Sequence, residues 1–216
     1  MGKTLLVGDL HMKQKLGYSE HIADGRVQEE KDILDFIIAQ AADCDKIVFL
    51  GDQLDARNNP SEVIKKFVNF VEKLNNGMRH IFILLGNHEL MGDGKSALDF
   101  YQEINDPNIK IITNEVYKLD NMVFCPYFYK GQLGAKNYVE ATKALLKKLP
   151  PADVLFIHQT VSDLNIKGIS SNTFNEIVLQ QKDLKKRYKK VAQRPPLTPI
   201  STPKYAFFMM LLLKID

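Results

Sequence analysis

Four short apolar runs in this 216-residue chain each end in residues able to hold a metal ion. Residues 3–7 lead into Gly8-Asp9-Leu10-His11, and residues 46–50 into Gly51-Asp52-Gln53-Leu54-Asp55. Residues 80–85 lead into Gly86-Asn87-His88-Glu89, and residues 153–157 into His158-Gln159-Thr160. Carboxylates, an amide and imidazoles form a mixed oxygen and nitrogen donor set. Such a set suits manganese, iron or zinc better than calcium, which prefers oxygen alone. A central aspartate can bridge two ions about 3.5–4 Å apart, the spacing used in two-metal hydrolysis of phosphate esters. The glycine before the donor in the first three segments lets the backbone turn closely around a small object.

Each of these residues also has an ordinary reading. A lone Asp after a strand is usually a turn or helix-cap residue, and a lone His is more often a surface or hydrogen-bonded one. Four strand ends delivering such residues in order carry the chemical reading. His80 keeps the ordinary one, because it starts its run and stands roughly 23 Å along an extended chain from Asn87. His21 is read as a loop residue at the surface. Asp55 has two readings left open, a helix cap or a carboxylate that orients His88.

The elements that must position these groups alternate. The apolar runs read as buried strands. Between them lie a helical pattern over residues 26–41 and another opened by Pro60-Ser61 and closed near Gly77. A shorter helix is expected over residues 95–104. Residues 109–112, 115–119 and 122–124 read as β segments separated by Thr113-Asn114 and Asp120-Asn121 turns. A helix over residues 135–149 stops at Pro150-Pro151. The early βαβαβ order predicts a parallel sheet, and the later hairpins a second sheet packed on it. Open α/β sheets bind ligands outside the carboxyl ends of their strands, where these donors fall.

Composition narrows the class. With 45% hydrophobic and 25% charged residues, the chain is ordinary globular protein and not disordered or fibrous. Its length is that of one large domain, able to bury roughly 70% of its unfolded surface. Two cysteines, Cys44 and Cys125, form neither a disulfide framework nor a paired metal motif. The apolar run over residues 206–213 is too short for a bilayer, and no N-terminal signal pattern stands out, so a cytoplasmic protein with no membrane is expected. Nine of the 29 Lys/Arg but two of the 26 Asp/Glu lie in residues 181–216, which leaves the first 180 residues net acidic. The cluster Lys182, Lys185, Lys186, Arg187, Lys189 and Lys190 could contact nucleic-acid phosphates, although such runs are usually a solvated helix face. Four of the nine prolines fall between Pro195 and Pro203. Residues 1–190 are therefore expected to form the domain, and residues 191–216 an extended or poorly ordered tail.

Asp-x-His, Gly-Asp-x-x-Asp, Gly-Asn-His-Glu and a later strand-terminal His, in this order, resemble the calcineurin-like metallophosphoesterases over roughly residues 3–160. The resemblance implies an α/β fold of two packed mixed sheets with helices outside. It implies Asp9 and His11 on one metal, Asp52 bridging, and Asn87 and His158 on the other, the ions being divalent and most simply manganese. His88 would protonate or stabilise the leaving oxygen while a metal-activated hydroxide attacks phosphorus in line. Protein Ser/Thr phosphatases of this superfamily follow the second aspartate with Arg-Gly, whereas here Asp55 leads into Ala56-Arg57-Asn58. The segment from Asp55 through Asn58-Asn59-Pro60-Ser61, and Arg26-x-x-Glu29, are similar to the nuclease subunit of DNA double-strand-break repair complexes. That branch implies DNA as substrate, an ABC-type ATPase partner and a homodimer.

One family motif is missing. The family adds an imidazole to each metal through a final Gly-His-x-His, and this sequence has no Gly after Gly168 and no His after His158. A truncation or frame change near residue 191 would account for the altered composition there. Three functions are therefore expected: foremost a repair-type DNA exonuclease, and behind it, on equal terms, a small-molecule or nucleotide phosphoesterase and a catalytically impaired DNA- or partner-binding remnant.

Overall fold

A computed structural model describes residues 2–13, 25–90, 95–99, 106–162, 176–193 and 211–215. The first half runs β1 (Thr4–Gly8), α1 (Gly25–Ala41), β2 (Lys46–Phe49), α2 (Ser61–Leu74), β3 (His80–Leu84) and β4 (Ile109–Ile112). The second half runs β5 (Tyr117–Leu119), β6 (Met122–Cys125), α3 (Tyr138–Lys148), β7 (Val154–Ile157), β8 (Thr160–Ser162) and β9 (Val178–Gln180). It closes with α4 (Gln181–Lys185), β10 (Lys190–Gln193) and β11 (Leu211–Ile215).

Among the described residues the strands form a five-stranded sheet, β11-β1-β2-β3-β4, and a four-stranded sheet, β10-β7-β6-β5. Strands β8 and β9 pair separately. Strands β1 to β4 are parallel and β11 joins β1 antiparallel. In the second sheet β10, β7 and β6 are parallel and β5 is antiparallel. This is the mixed two-sheet α/β architecture that the motif order implies.

The first sheet is apolar on both faces, and the period-two alternation sorts its side chains. Leu5, Val7, Ile47, Phe49, Ile81 and Ile83 point outward onto the buried faces of α1 and α2. Leu6, Val48, Phe82 and Leu84 point inward and meet Phe124 and Phe156 of the second sheet. The rings of Phe82, Phe124 and Phe156 stack through centroid distances of 4.5 and 4.9 Å. On the far side, Val123, Cys125, Leu155 and Ile157 pack with Ala141 and Leu145 of α3 and Leu184 of α4. The layers thus run helix, sheet, sheet, helix.

Several expectations differ in detail. Residues 95–98 are not the start of a helix: Ser96 forms a bridge with Leu90, and a turn comes next. The rest of that expected helix lies beyond residue 99, outside the described residues, as does His21. The helix expected from residue 135 starts at Tyr138, because the Asn137 side chain caps it by accepting from the Glu140 N–H. In the segment after residue 190, Val191 and Ala192 continue β10 alongside Leu155 and Phe156, and β11 covers the edge of β1. Part of the expected tail therefore belongs to the sheets. Backbone pairing along an open edge captures an apolar run whatever the composition around it. Among the described residues, no helix is long and apolar enough to cross a membrane.

Candidate metal centre

The loops after β1 and β2 leave their strands side by side. Asp9 N–H donates to Gly51 O at 3.2 Å, His11 N–H to Asp52 O at 2.9 Å and Met12 N–H to Gln53 O at 2.9 Å. Polar residues alternate with buried anchors, Leu10, Met12 and Leu54, so Asp9, His11 and Asp52 are held on a backbone that cannot slide. Asp9, His11 and Asp52 all have positive φ, at 53°, 45° and 53°. A non-glycine residue there costs on the order of 1–3 kcal/mol and persists only where its surroundings impose it. Three such residues in one constellation point to a functional site.

The glycines have a specific reason. A Cβ on Gly51 would stand 2.1 Å from the His158 ring, and one on Gly86 would stand 2.0 Å from Asp52 Oδ1. Gly51 makes room for His158, and Gly86 for the Asp52 carboxylate.

Asp52 is the hub. Its Oδ2 lies 3.3 Å from His158 Nε2 and 4.0 Å from His11 Nε2. Its Oδ1 accepts the His88 N–H at 3.1 Å. Burial opposes its ionisation, but His158, through charge and a hydrogen bond, and then His88 outweigh it and hold the carboxyl below its usual range. His158 Nδ1 donates to Leu50 O at 2.6 Å, which ties the second sheet to the first and turns Nε2 toward Asp52. Nε2 also stands 3.3 Å from Asn87 Oδ1. On the other side, His11 Nε2 lies 3.9 Å from Asp9 Oδ1. Burial lowers the His11 pKa and His88 adds to that, against the raising influence of Asp52, so a neutral ring with a lone pair to share is favoured.

The expected residues Asp9, His11, Asp52, Asn87, His88 and His158 thus converge. Among the described residues, His11, Asp52 and His88 form a group whose ligand atoms lie within 4.8 Å of one another. The motif resemblance assigns His88 to the leaving oxygen, yet the residue stands close enough to share an ion with His11. The donor chemistry, carboxylates with an amide and imidazoles, fits two divalent ions sharing Asp52. Asp9 and His11 would hold one ion, and Asn87 and His158 the other, with the His88 ring beside that of His11.

Asp55 meets neither of its two expected descriptions. It caps no helix, because α2 starts six residues later, after Pro60. Its main-chain carbonyl, not its carboxylate, takes the His88 Nδ1 at 2.7 Å. The carboxylate instead lies 3.6 Å from His11 Nδ1 and 3.2 Å from Lys13 Nζ.

Sequence reasoning assigned nothing to Glu89. Fully buried, its carboxylate accepts the N–H groups of Asp52 at 3.2 Å, Leu54 at 2.8 Å and Gly86 at 2.8 Å. It buckles the loop after β2 to the loop after β3. Burial, then the Asp52 charge, push its pKa up to about 7, while the N–H bonds from Leu54 and Gly86 work against that rise. The available signal was an ionisable residue leading straight into the apolar Leu90.

The basic cluster lies elsewhere. Lys189 and Lys190 donate their N–H groups to Asp153 O at the amino ends of β10 and β7, whereas His158 stands just past the carboxyl end of β7. Four residues of strand, roughly 13 Å, separate the two levels. The Arg187 guanidinium donates to Leu146 O and Leu149 O at the end of α3, and Lys189 Nζ pairs with Asp153 at 2.8 Å. Lys185 and Lys186 are exposed.

A family model for calcineurin-like phosphoesterases matches residues 2–202. No curated protein matches the chain. Among solved structures it is similar to the nuclease MPE of Pseudomonas putida, with 21% identity over 56% of this chain and 52% of that one and a TM-score of 0.36. The chain therefore spans about half the length of that nuclease.

Proposed function

We propose, from the premise that this chain belongs to the calcineurin-like phosphoesterase family, that it is a manganese-dependent phosphodiesterase acting on DNA, an exonuclease of the double-strand-break repair type. Family membership makes it a metal-dependent phosphoester hydrolase. The observation that carries the two-metal reading is Asp52 Oδ2 standing between His158 Nε2 at 3.3 Å and His11 Nε2 at 4.0 Å. Divalent ions bound there would polarise phosphoryl oxygens and lower the pKa of a coordinated water. The chain's own part is positional. Leu50 O and Asp55 O fix the Nδ1 atoms of His158 and His88, and His158 Nε2 is thereby turned toward Asp52. On this reading His88 would hold or deliver a proton at the leaving oxygen.

DNA as substrate rests on sequence. Asp55 leads into Ala56-Arg57-Asn58, not Arg-Gly, and Asn58-Asn59-Pro60-Ser61 opens α2. The test is hydrolysis with manganese in excess, comparing linear duplex DNA, a phosphomonoester and a cyclic nucleotide. DNA should be preferred. Faster turnover of either small substrate overturns the assignment.

A second reading has its own observation. Strand β10 lies parallel to β7, and the sequence beyond it continues Arg194-Pro195-Pro196 where the family carries Gly-His-x-His. Without those imidazoles each ion keeps few protein ligands, so manganese binding should be weak and hydrolysis slow. Calorimetric titration of manganese into the chain decides this, and tight binding of two ions would refute it.

A further inference from the structure

We infer that the Asp55 carboxylate positions His11, and that Lys13 holds it there. The inference deepens the metal-dependent reading above and rests on it for its purpose, though not for its test. Asp55 serves two imidazoles with two different groups. Its main-chain oxygen takes His88 Nδ1 at 2.7 Å, and its carboxylate Oδ1 stands 3.6 Å from His11 Nδ1. The two rings meet edge to face with centroids 4.7 Å apart.

The backbone leaves Asp55 little choice. Asp55 N–H donates to Met12 O at 3.1 Å, continuing the pairing that starts with His11 N–H on Asp52 O. That register sets residue 55 opposite residues 11 to 13. The carboxylate's second oxygen, Oδ2, then lies 3.2 Å from Lys13 Nζ, a side chain about one-fifth exposed. The ammonium draws the carboxylate into one orientation, and the carboxylate favours a proton on the nearer nitrogen of His11. With Nδ1 protonated, the lone pair sits on Nε2, the nitrogen facing Asp9 Oδ1 at 3.9 Å and Asp52 Oδ2 at 4.0 Å. A carboxylate behind a ligating imidazole typically changes metal affinity by 10- to 100-fold.

The division of labour makes the claim testable, since removing the Asp55 side chain leaves its carbonyl in place. Long-range proton–nitrogen NMR of the metal-free chain reads the tautomer of each histidine directly. Wild type should show His11 protonated at Nδ1. Asp55→Ala should move His11 toward a tautomer mixture while His88 and His158 keep their Nδ1 protons. Asp55→Asn, which keeps an oxygen dipole but not the charge, should lie between them, and Lys13→Met should shift His11 in the same direction as Asp55→Ala. Manganese titration should then show affinity about tenfold or more weaker for Asp55→Ala. An unchanged His11 tautomer in Asp55→Ala overturns the proposal, and so does a matching shift at His88, which would assign the carboxylate to the wrong ring. A wild-type chain that hydrolyses no phosphodiester would sink the functional reading alone, because the tautomer is read without metal or substrate.

Discussion

Charged groups gather at both ends of the strands, and they are handled in opposite ways. At the amino end, Arg79 is buried yet faces carbonyls. Its guanidinium donates to Ala41 O at 2.6 Å, Cys44 O at 2.9 Å and Leu74 O. Ala41 and Leu74 are the last residues of α1 and α2, so one cation caps two helix carboxyl ends and complements both dipoles. Lys189 and Arg187 are likewise tied to Asp153 and to the carbonyls ending α3. At the carboxyl end, Asp9, Asp52 and Glu89 crowd together with imidazoles on a strained backbone. The first arrangement satisfies its charges internally and stabilises the fold. The second leaves acidic and imidazole donors facing one another, which favours an incoming cation. A βα unit produces this contrast naturally, since helices end where strands begin and strands end in loops free to carry ligands.

The largest effect is expected at the hub. Asp52→Asn should lower phosphodiester hydrolysis by about a thousandfold, roughly 4 kcal/mol, because a neutral amide holds two cations together poorly. The urea midpoint should move little, since the amide oxygen can still accept the His88 N–H. Initial rates that keep a tenth of wild type would break the two-metal reading.

Next comes the opposite end. Arg79→Met should cost about 3 kcal/mol in urea unfolding, because it takes the guanidinium from three buried carbonyls, of which Ala41 O still accepts the Cys44 N–H. Hydrolysis per folded molecule should be unchanged. A loss of specific activity with stability intact would show that the two ends are coupled.

A smaller effect separates the imidazoles. His158→Ala should weaken one manganese site about tenfold, whereas His88→Ala should slow hydrolysis with metal content largely kept. Metal counts per chain check the split. Equal metal loss in both variants would make His88 a ligand, as its proximity to His11 and Asp52 allows.

The smallest effect lies in the second sheet's outer core, at Tyr188, whose hydroxyl donates to Pro150 O at 2.6 Å. Burial is the main cause pushing its pKa up to about 12. An unfolded tyrosine ionises near 10. The folded state therefore holds this proton longer, and its advantage is present below about pH 10 and lost as pH rises toward about 12. Tyr188→Phe should cost about 1 kcal/mol at neutral pH and flatten the alkaline fall in urea stability. An equally steep fall in the variant would trace it to another group.

Much of the site was legible because its residues come directly after apolar runs whose strand character is local. Val7, Phe49, Leu85 and Ile157 each announce a buried strand, and the loop after such a strand in an α/β chain lies at the ligand edge. The glycines were legible as close-approach positions for the same reason. Glu89 was not legible, because its value lies in three N–H groups from two loops that only folding brings together. Arg79 was illegible too, since its partners lie up to 38 residues away in sequence.

The sequence alone determined the order of elements, the two-sided burial of the first sheet and the set of metal-type donors, since hydrophobic period and residue chemistry are local properties. Tertiary structure decided which atoms face which. It gave the Asp55 carbonyl to His88 and the Asp55 carboxylate to His11, placed the basic cluster at the amino ends of its strands, and paired residues 191–193 and 211–215 into the sheets. Those outcomes depend on register between segments distant in the chain. Register is set by packing and backbone pairing, which no single segment encodes.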